Sequence, residues 1–137
     1  PREENKAAMD MVRDFGVVTA TLETPIVGLS GGNQQKVALA RLLHHGADVL
    51  LFDEPTRGID VGSKAEIYRL IDQLASGADA RQPAAILMVS SYLPELLGIC
   101  DRLAVMSRGR LLPPRPATGL TEEAIMLQAT GQEARDG

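Results

Sequence analysis

Apolar positions along the chain recur at two spacings, and the switch between them outlines the elements. From Ser63 to Ala75, Ile67, Leu70, Ile71 and Leu74 fall at i, i+3, i+4 and i+7, the stripe of an amphipathic helix. Ser63 and Glu66 read as its capping box and Gly77 as its stop. Asn33 to Leu43 repeats the helical spacing with Val37, Ala40 and Leu43, and ends at "HHG", where Gly46 supplies a left-handed cap. Glu4 to Asp14 reads as a shorter helix, with Met9 and Val12 on one face and Gly16 as its stop.

Between these helices stand short continuous apolar runs. "DVLLF", Asp48 to Phe52, and "AAILMVS", Ala84 to Ser90, are bounded and apolar on both faces, the pattern of buried parallel strands. "SGADARQP" is a polar loop, and a short helix follows near Pro94 to Ile99. "RLAVM", Arg102 to Met106, reads as a third strand, and "SRGR" as a tight turn into a short strand at Arg110 to Leu112. "PPRP", Pro113 to Pro116, reads as a break, and Thr121 as the cap of a last helix reaching about Ala129. Strands alternating with helices predict an α/β fold with right-handed crossovers and a helix-covered parallel sheet.

Composition narrows the classes. The 137 residues suit one domain with a modest core, and 3% aromatic content with no Trp makes that core aliphatic. The same scarcity argues against a stacking platform for single-stranded nucleic acid. The 14 basic residues are scattered and the net charge is -4, so there is no basic stripe for a duplex. The lone Cys100 excludes an internal disulfide and a multi-cysteine metal site, and reads as a small buried hydrophobe. No apolar run reaches the length of a membrane span. "PREENKAAMD" has no signal-peptide apolar region and no initial Met, which points to a piece of a longer polypeptide.

Two stretches carry candidate chemistry. In "VLLFDEP" an apolar strand ends in Asp53 and Glu54, which puts two carboxylates at the carboxyl edge of a parallel sheet, where open α/β sheets bind ligands. Asp53 suits Mg²⁺, which prefers oxygen ligands and few protein groups. Glu54 is then free to orient or deprotonate an attacking water. For a bare Asp-Glu pair a solvated acidic turn is the commoner explanation; the apolar run and the following "TRGID" favour function. In "LSGGNQQK" glycines open the backbone to an anion, the next helix adds its positive dipole end, and the Ser30 hydroxyl donates to a phosphate oxygen. Ser and Gly are also ordinary helix starters, but two adjacent glycines there cost roughly 1 kcal/mol each, which calls for a reason beyond capping.

Other motifs are decoys. "GIDVGSK", Gly58 to Lys64, has three residues between its glycines where a P-loop has four, and its Ser and Lys are reversed. Ser63 and Lys64 read instead as helix-capping and surface residues. His44 and His45 at a helix C-terminus suit the helix dipole better than a metal.

Together these residues resemble the ABC ATPases. "LSGGNQQK" resembles their signature motif in the form carried by importers of monosaccharides such as ribose, xylose and galactose. "VLLFDEP" resembles Walker B with its catalytic Glu, and "TRGIDVGSK" the D-loop region, with Asp60 as the D-loop aspartate. "TEEAIMLQATG" resembles the end of such proteins, in which two cassettes are fused. The resemblance runs from about Met9 to Gly131. It implies a partial P-loop NTPase (ABC cassette): residues 1–45 as part of the helical signature subdomain, 46–112 as the C-terminal part of the ATPase core, and 113–137 as a C-terminal loop and helix. Walker A and the Q-loop would lie upstream, so the chain alone is expected to bind ATP negligibly and to be inactive.

The resemblance further implies ATP and Mg²⁺ as cofactors. Ser30, Gly31, Gly32, Asn33, Gln34 and Asp60 would contact nucleotide held by an opposite cassette, Asp53 would hold the metal, and Glu54 and Ser91 would be catalytic. In "VSSYLPE" Ser91 stands where the family usually has His, and Tyr92 where the sugar-importer group often has Glu, so Ser91 would take a weakened switch role. Implied partners are a second cassette, transmembrane permease subunits and, indirectly, a periplasmic sugar-binding protein, at the cytoplasmic face of a bacterial plasma membrane. A DNA-associated ABC-type ATPase is the rival reading. The short segment between Gly32 and Asp53 leaves no room for the long insertion such proteins carry. A non-catalytic truncated cassette acting only as a pairing module is the third.

Overall fold

A computed structural model describes residues 2–44, 46–77 and 82–131. His45 and residues 78–81 of the polar loop lie outside the described residues. The chain forms two compact units, 1–89 and 90–137.

The first unit contains α1 (Arg2–Asp14), a single 3₁₀ turn (Ile26–Gly28), α2 (Gly31–His44), β1 (Val49–Asp53), α3 (Val61–Ser76) and β2 (Ala85–Val89). Its core is aliphatic with two phenylalanines. Leu39 of α2 and Ile67 of α3 are fully buried, with Leu50, Phe52, Leu70, Ile71 and Leu74 around them. α1 runs two residues further back than its pattern predicts, and α2 opens at Gly31 rather than Asn33. Arg41 and His44 fall in the last turn of α2, on the side a helix dipole favours for cations.

α3 departs from its predicted start. Asp60, in an extended conformation, caps the helix by accepting the Ser63 backbone N–H at 3.0 Å, so Ser63 lies inside the first turn. Glu66 does not complete a capping box; it pairs with Lys36 of α2. At the other end Gly77 takes φ 70°, and its N–H donates to the Gln73 carbonyl, as expected of a left-handed cap.

β1 and β2 pair in parallel, with Val49 opposite Ala85, Leu51 opposite Leu87 and Asp53 opposite Val89. Their burial differs from the expectation of strands covered on both faces. Leu50 and Phe52 point into the core, while Val49, Leu51, Leu87 and Val89 are 57–70% exposed. Among the described residues this face of the pair is an uncovered aliphatic surface. Parallel sheets ordinarily carry helices on both sides.

The second unit contains α4 (Leu93–Ile99), β3 (Arg102–Leu103), β4 (Met106–Ser107), β5 (Arg110–Leu111), β6 (Arg115–Pro116) and α5 (Glu122–Thr130). Leu103, Ala117 and Ile125 form its core, with Leu93, Leu96, Leu97 and Cys100 packed against them. The run "RLAVM" is not one strand. β3 pairs antiparallel with β6, and β4 pairs antiparallel with β5. Arg108 (φ 50°) and Gly109 (φ 76°) close the β4–β5 hairpin with two successive left-handed residues, the geometry that matches strand twist. "PPRP" therefore does not simply break structure: Arg115 and Pro116 return as β6, and the missing Pro N–H is tolerated in so short a ladder. Thr121 caps α5 as its sequence predicts, accepting the Ala124 N–H.

Candidate functional site

The signature-like stretch begins at the exposed end of α2. Ser30 Oγ accepts the Asn33 N–H at 3.4 Å and the Asn33 Nδ2 at 3.0 Å. A hydroxyl that accepts twice still has its hydrogen to donate. Asn33 Oδ1 accepts the Val18 N–H at 2.9 Å, and Gln34 Nε2 donates to the Leu29 carbonyl at 2.9 Å. The described bonds of Asn33 and Gln34 thus fasten the helix start to the residues just before it and to the segment after α1. Sequence reasoning placed both toward nucleotide and missed this internal work.

The two glycines differ in circumstance. A Cβ on Gly31 would meet nothing within 4 Å. A Cβ on Gly32 would lie 2.5 Å from both Cβ and Oγ of Ser63. Gly32 is therefore required by packing between the starts of α2 and α3. The space beside Gly31 is open, and the N–H groups that start a helix have no backbone partner within it. That contact also brings Asp60 into the neighbourhood of the signature turn. Asp60 is fully exposed, and the backbone and hydroxyl of Ser63 hold its carboxyl below the ordinary aspartate value of 3.8.

At the carboxyl end of β1, Asp53 is exposed and Glu54 half-buried. Glu54 has φ 47°, a conformation that costs a residue with a Cβ. Its N–H donates to the Val89 carbonyl at 2.8 Å, tying the turn after β1 to the end of β2. Arg57 N–H donates back to the Glu54 carbonyl, and Thr56 is buried beneath this turn. The chain reverses sharply just where the two carboxylates leave the sheet. Among the described residues no three His, Cys, Asp or Glu side chains gather as a metal cluster. A hard cation here would rest on Asp53 and on oxygens brought by a ligand, the pattern usual for Mg²⁺ with phosphates.

Ser91 belongs to the second unit. Its neighbours are fixed by a buried carboxylate: the Ser90 hydroxyl donates to Glu95 Oε2 at 2.5 Å, and Ser90 Oγ accepts the Tyr92 N–H at 3.1 Å. Glu95 is 4% exposed, so its bond to Ser90 is a strong constraint on the turn that carries Ser91. Nearby, burial raises the Cys100 thiol above its ordinary value, with Asp101 and Glu95 adding to the shift.

Solved structures share this fold. A metal-chelate-type ABC transporter in an inward-facing conformation superposes with a TM-score of 0.73 at 20% identity, covering 93% of this chain and 48% of that one. The dimeric ATP-binding cassette MJ0796, bound to ADP and phosphate, superposes at 0.69 and 22% identity, covering 87% and 49%. The fold is that of an ABC-type ATPase cassette, and a family model for ABC transporters matches residues 2–57.

Sequence similarity is more particular. A ribose/galactose/methyl galactoside import ATP-binding protein of Agrobacterium fabrum is 50% identical over 126 residues, 92% of this chain and 24% of its own length. A ribose import ATP-binding protein of Rhizobium meliloti is 48% identical over 130 residues, covering 95% and 24%. One from Streptomyces coelicolor is 48% identical over 131 residues, covering 96% and 25%. The chain thus spans about a quarter of the length of these sugar-import relatives. No helix among the described residues is long and apolar enough to cross a membrane.

Proposed function

We propose that this chain serves in the ATP-binding and ATP-hydrolysing subunit of a bacterial ABC importer that takes up a monosaccharide. The observation that carries the reading is the helix start at Ser30 and Gly31: an exposed hydroxyl and an unobstructed glycine at the positive end of α2. The similarity to ribose and galactose import proteins supplies the transport context.

In this reading Ser30 and Gly31 receive the γ-phosphate of ATP held by a facing cassette. Gly32 sets the packing that presents them, and Asn33 and Gln34 stiffen the turn. Asp53 would hold Mg²⁺, whose chemistry is to neutralise phosphate charge. Glu54, aimed by its left-handed backbone, orients and polarises the attacking water. Asp60 faces the opposing cassette beside the signature turn. Ser91 takes the switch role, donating a hydrogen bond without a positive charge. The partners are a second cassette and permease subunits, at the cytoplasmic face of the plasma membrane. The uncovered aliphatic face of β1 and β2 is where the remainder of a cassette would pack.

The sequence holds no G-x-x-x-x-G-K-[S/T] stretch, so the cradle for the phosphates comes from elsewhere. Titration calorimetry tests this. The chain alone with millimolar Mg·ATP is expected to give no saturable heat, and a P-loop-bearing sugar-importer cassette added to it is expected to restore nucleotide-dependent association. Saturable ATP binding by the chain alone, or no association with the cassette, overturns the reading.

A further inference from the structure

A lysine four residues beyond a glycine pair is well spaced to reach a phosphate. The structure turns this one inward. Lys36 is 5% exposed, and its Nζ donates to the Gly16 carbonyl at 2.9 Å and pairs with Glu66 Oε2. We infer that Lys36 is a positioning residue that fixes the start of α2 against the start of α3, so that Ser30, Gly31 and Asp60 are presented as one rigid surface.

The geometry is that of a two-point clamp. Gly32 and Lys36 lie one turn apart on the same face of α2. Ser63 and Glu66 lie one turn apart on α3. Gly32 packs on Ser63, and Lys36 pairs with Glu66. One contact leaves two helices free to pivot; two contacts a turn apart fix their relative rotation. The Gly16 carbonyl adds a third anchor, at the residue where the chain leaves α1 with φ 57°. Two residues on, the Val18 N–H meets Asn33, so the exit from α1 is tied to the first turn of α2 through Asn33 and to the second through Lys36.

Energetics favour a role in geometry over one in stability. Burying an ammonium group is costly, and its pairing commonly does little more than offset that cost. Both partners of Lys36 stay accessible to water: the Glu66 side chain is 55% exposed and Gly16 is exposed. Replacing Lys36 by Met keeps the aliphatic stem in place and leaves neither partner buried without a donor. The clamp is lost while the packing stays.

The inference rests on the reading of Ser30 and Gly31 as a phosphate-receiving turn, and the test separates the two. Hydrogen exchange on the full chain compares the wild type with Lys36→Met at four bonded amides: Asn33, Gln34, Ser63 and Lys64. All four are expected to exchange about tenfold faster in the variant, while amides within β1 keep their rates. Unchanged rates at the four sites, or an equal rise throughout the first unit, overturn the clamp. Gly32→Ala, read the same way, keeps the result decidable if Lys36→Met fails to fold. In a cassette pair whose ATPase activity depends on this chain, Lys36→Met is expected to lower kcat about tenfold with KM for ATP within about twofold. Undiminished kcat in an active pair also overturns it. A wild-type pair with no activity instead overturns the function proposed above, and the exchange result still decides the clamp.

Discussion

Gly32 and Ser63 approach so closely that a methyl group on the glycine would stand 2.5 Å from the serine Cβ and Oγ. The start of α3 is therefore a wall against which the start of α2 is built. Gly32→Ala is expected to cost about 1–3 kcal/mol in urea unfolding, the usual effect of overpacking a tight contact. Gly31→Ala, with open space around it, is expected to change stability by less than about 1 kcal/mol. Gly32→Ala combined with Ser63→Gly is expected to recover most of the loss, because the obstructing atoms are gone while the Ser63 backbone bond to Asp60 survives.

Asp60 gives α3 a pH-sensitive start. Hydrogen bonds from Ser63 depress its folded-state pKa below 3.8. The stability it contributes is then fully present above the unfolded value and is lost as pH falls through the folded one. Asp60→Asn caps without titrating. Circular dichroism melts of the two forms are expected to differ in trend only below about pH 4, where the wild type loses its advantage. Parallel trends down to pH 2 would show that the cap does not titrate in this way.

Glu54 holds a left-handed conformation without being glycine. Glu54→Gly is expected to be about 1 kcal/mol more stable than Glu54→Ala, because only glycine adopts that φ without a Cβ penalty. Denaturant titration of both variants measures the difference. In an assembled cassette both are expected to lose hydrolysis, so the position would trade stability for chemistry.

The open face of β1 and β2 makes a sharp contrast between neighbours in sequence. Leu51→Lys, at a 70% exposed position, is expected to shift stability by no more than about 0.5 kcal/mol. Leu50→Lys, at a 2% exposed position, is expected to unfold the first unit by burying an unpaired charge. Leu51→Lys with Leu87→Lys is also expected to reduce self-association in sedimentation experiments, since paired aliphatic residues on an open sheet favour sticking.

The sequence speaks most clearly where a signal is local. Gly77 and Thr121 act where their residue types place them, and the stripe from Ile67 to Leu74 is buried as its spacing predicts. The start of α3 is harder to read because Asp60-Val61-Gly62-Ser63 and Ser63-Lys64-Ala65-Glu66 are both capping patterns in one stretch. What decides between them is Lys36, thirty positions away in sequence, which takes Glu66 for itself. The strands show the same limit. "DVLLF" is apolar at every position from Val49 to Phe52, so it cannot reveal that only Leu50 and Phe52 are covered. "RLAVM" is one run in sequence but changes partner midway, because the Arg108-Gly109 turn claims Met106 and Ser107 while Arg115 returns to Leu103. The order of "LSGGNQQK", "DEP" and "TRGID" makes the candidate site legible, whereas the inward roles of Gly32, Asn33, Gln34 and Lys36 depend on contacts that no motif records.

The caps of α3 also set a timetable. Both are local: Asp60 bonds Ser63 at one end, and Gly77 bonds Gln73 at the other. A helix marked at both ends within its own sequence depends less on distant contacts for its boundaries, although its nucleation alone is unfavourable. β1 and β2 have no such independence, since Val49 meets Ala85 only after the whole intervening chain has closed. As α3 winds, it shortens the path between the strands, so assembly is expected to run from helix to sheet.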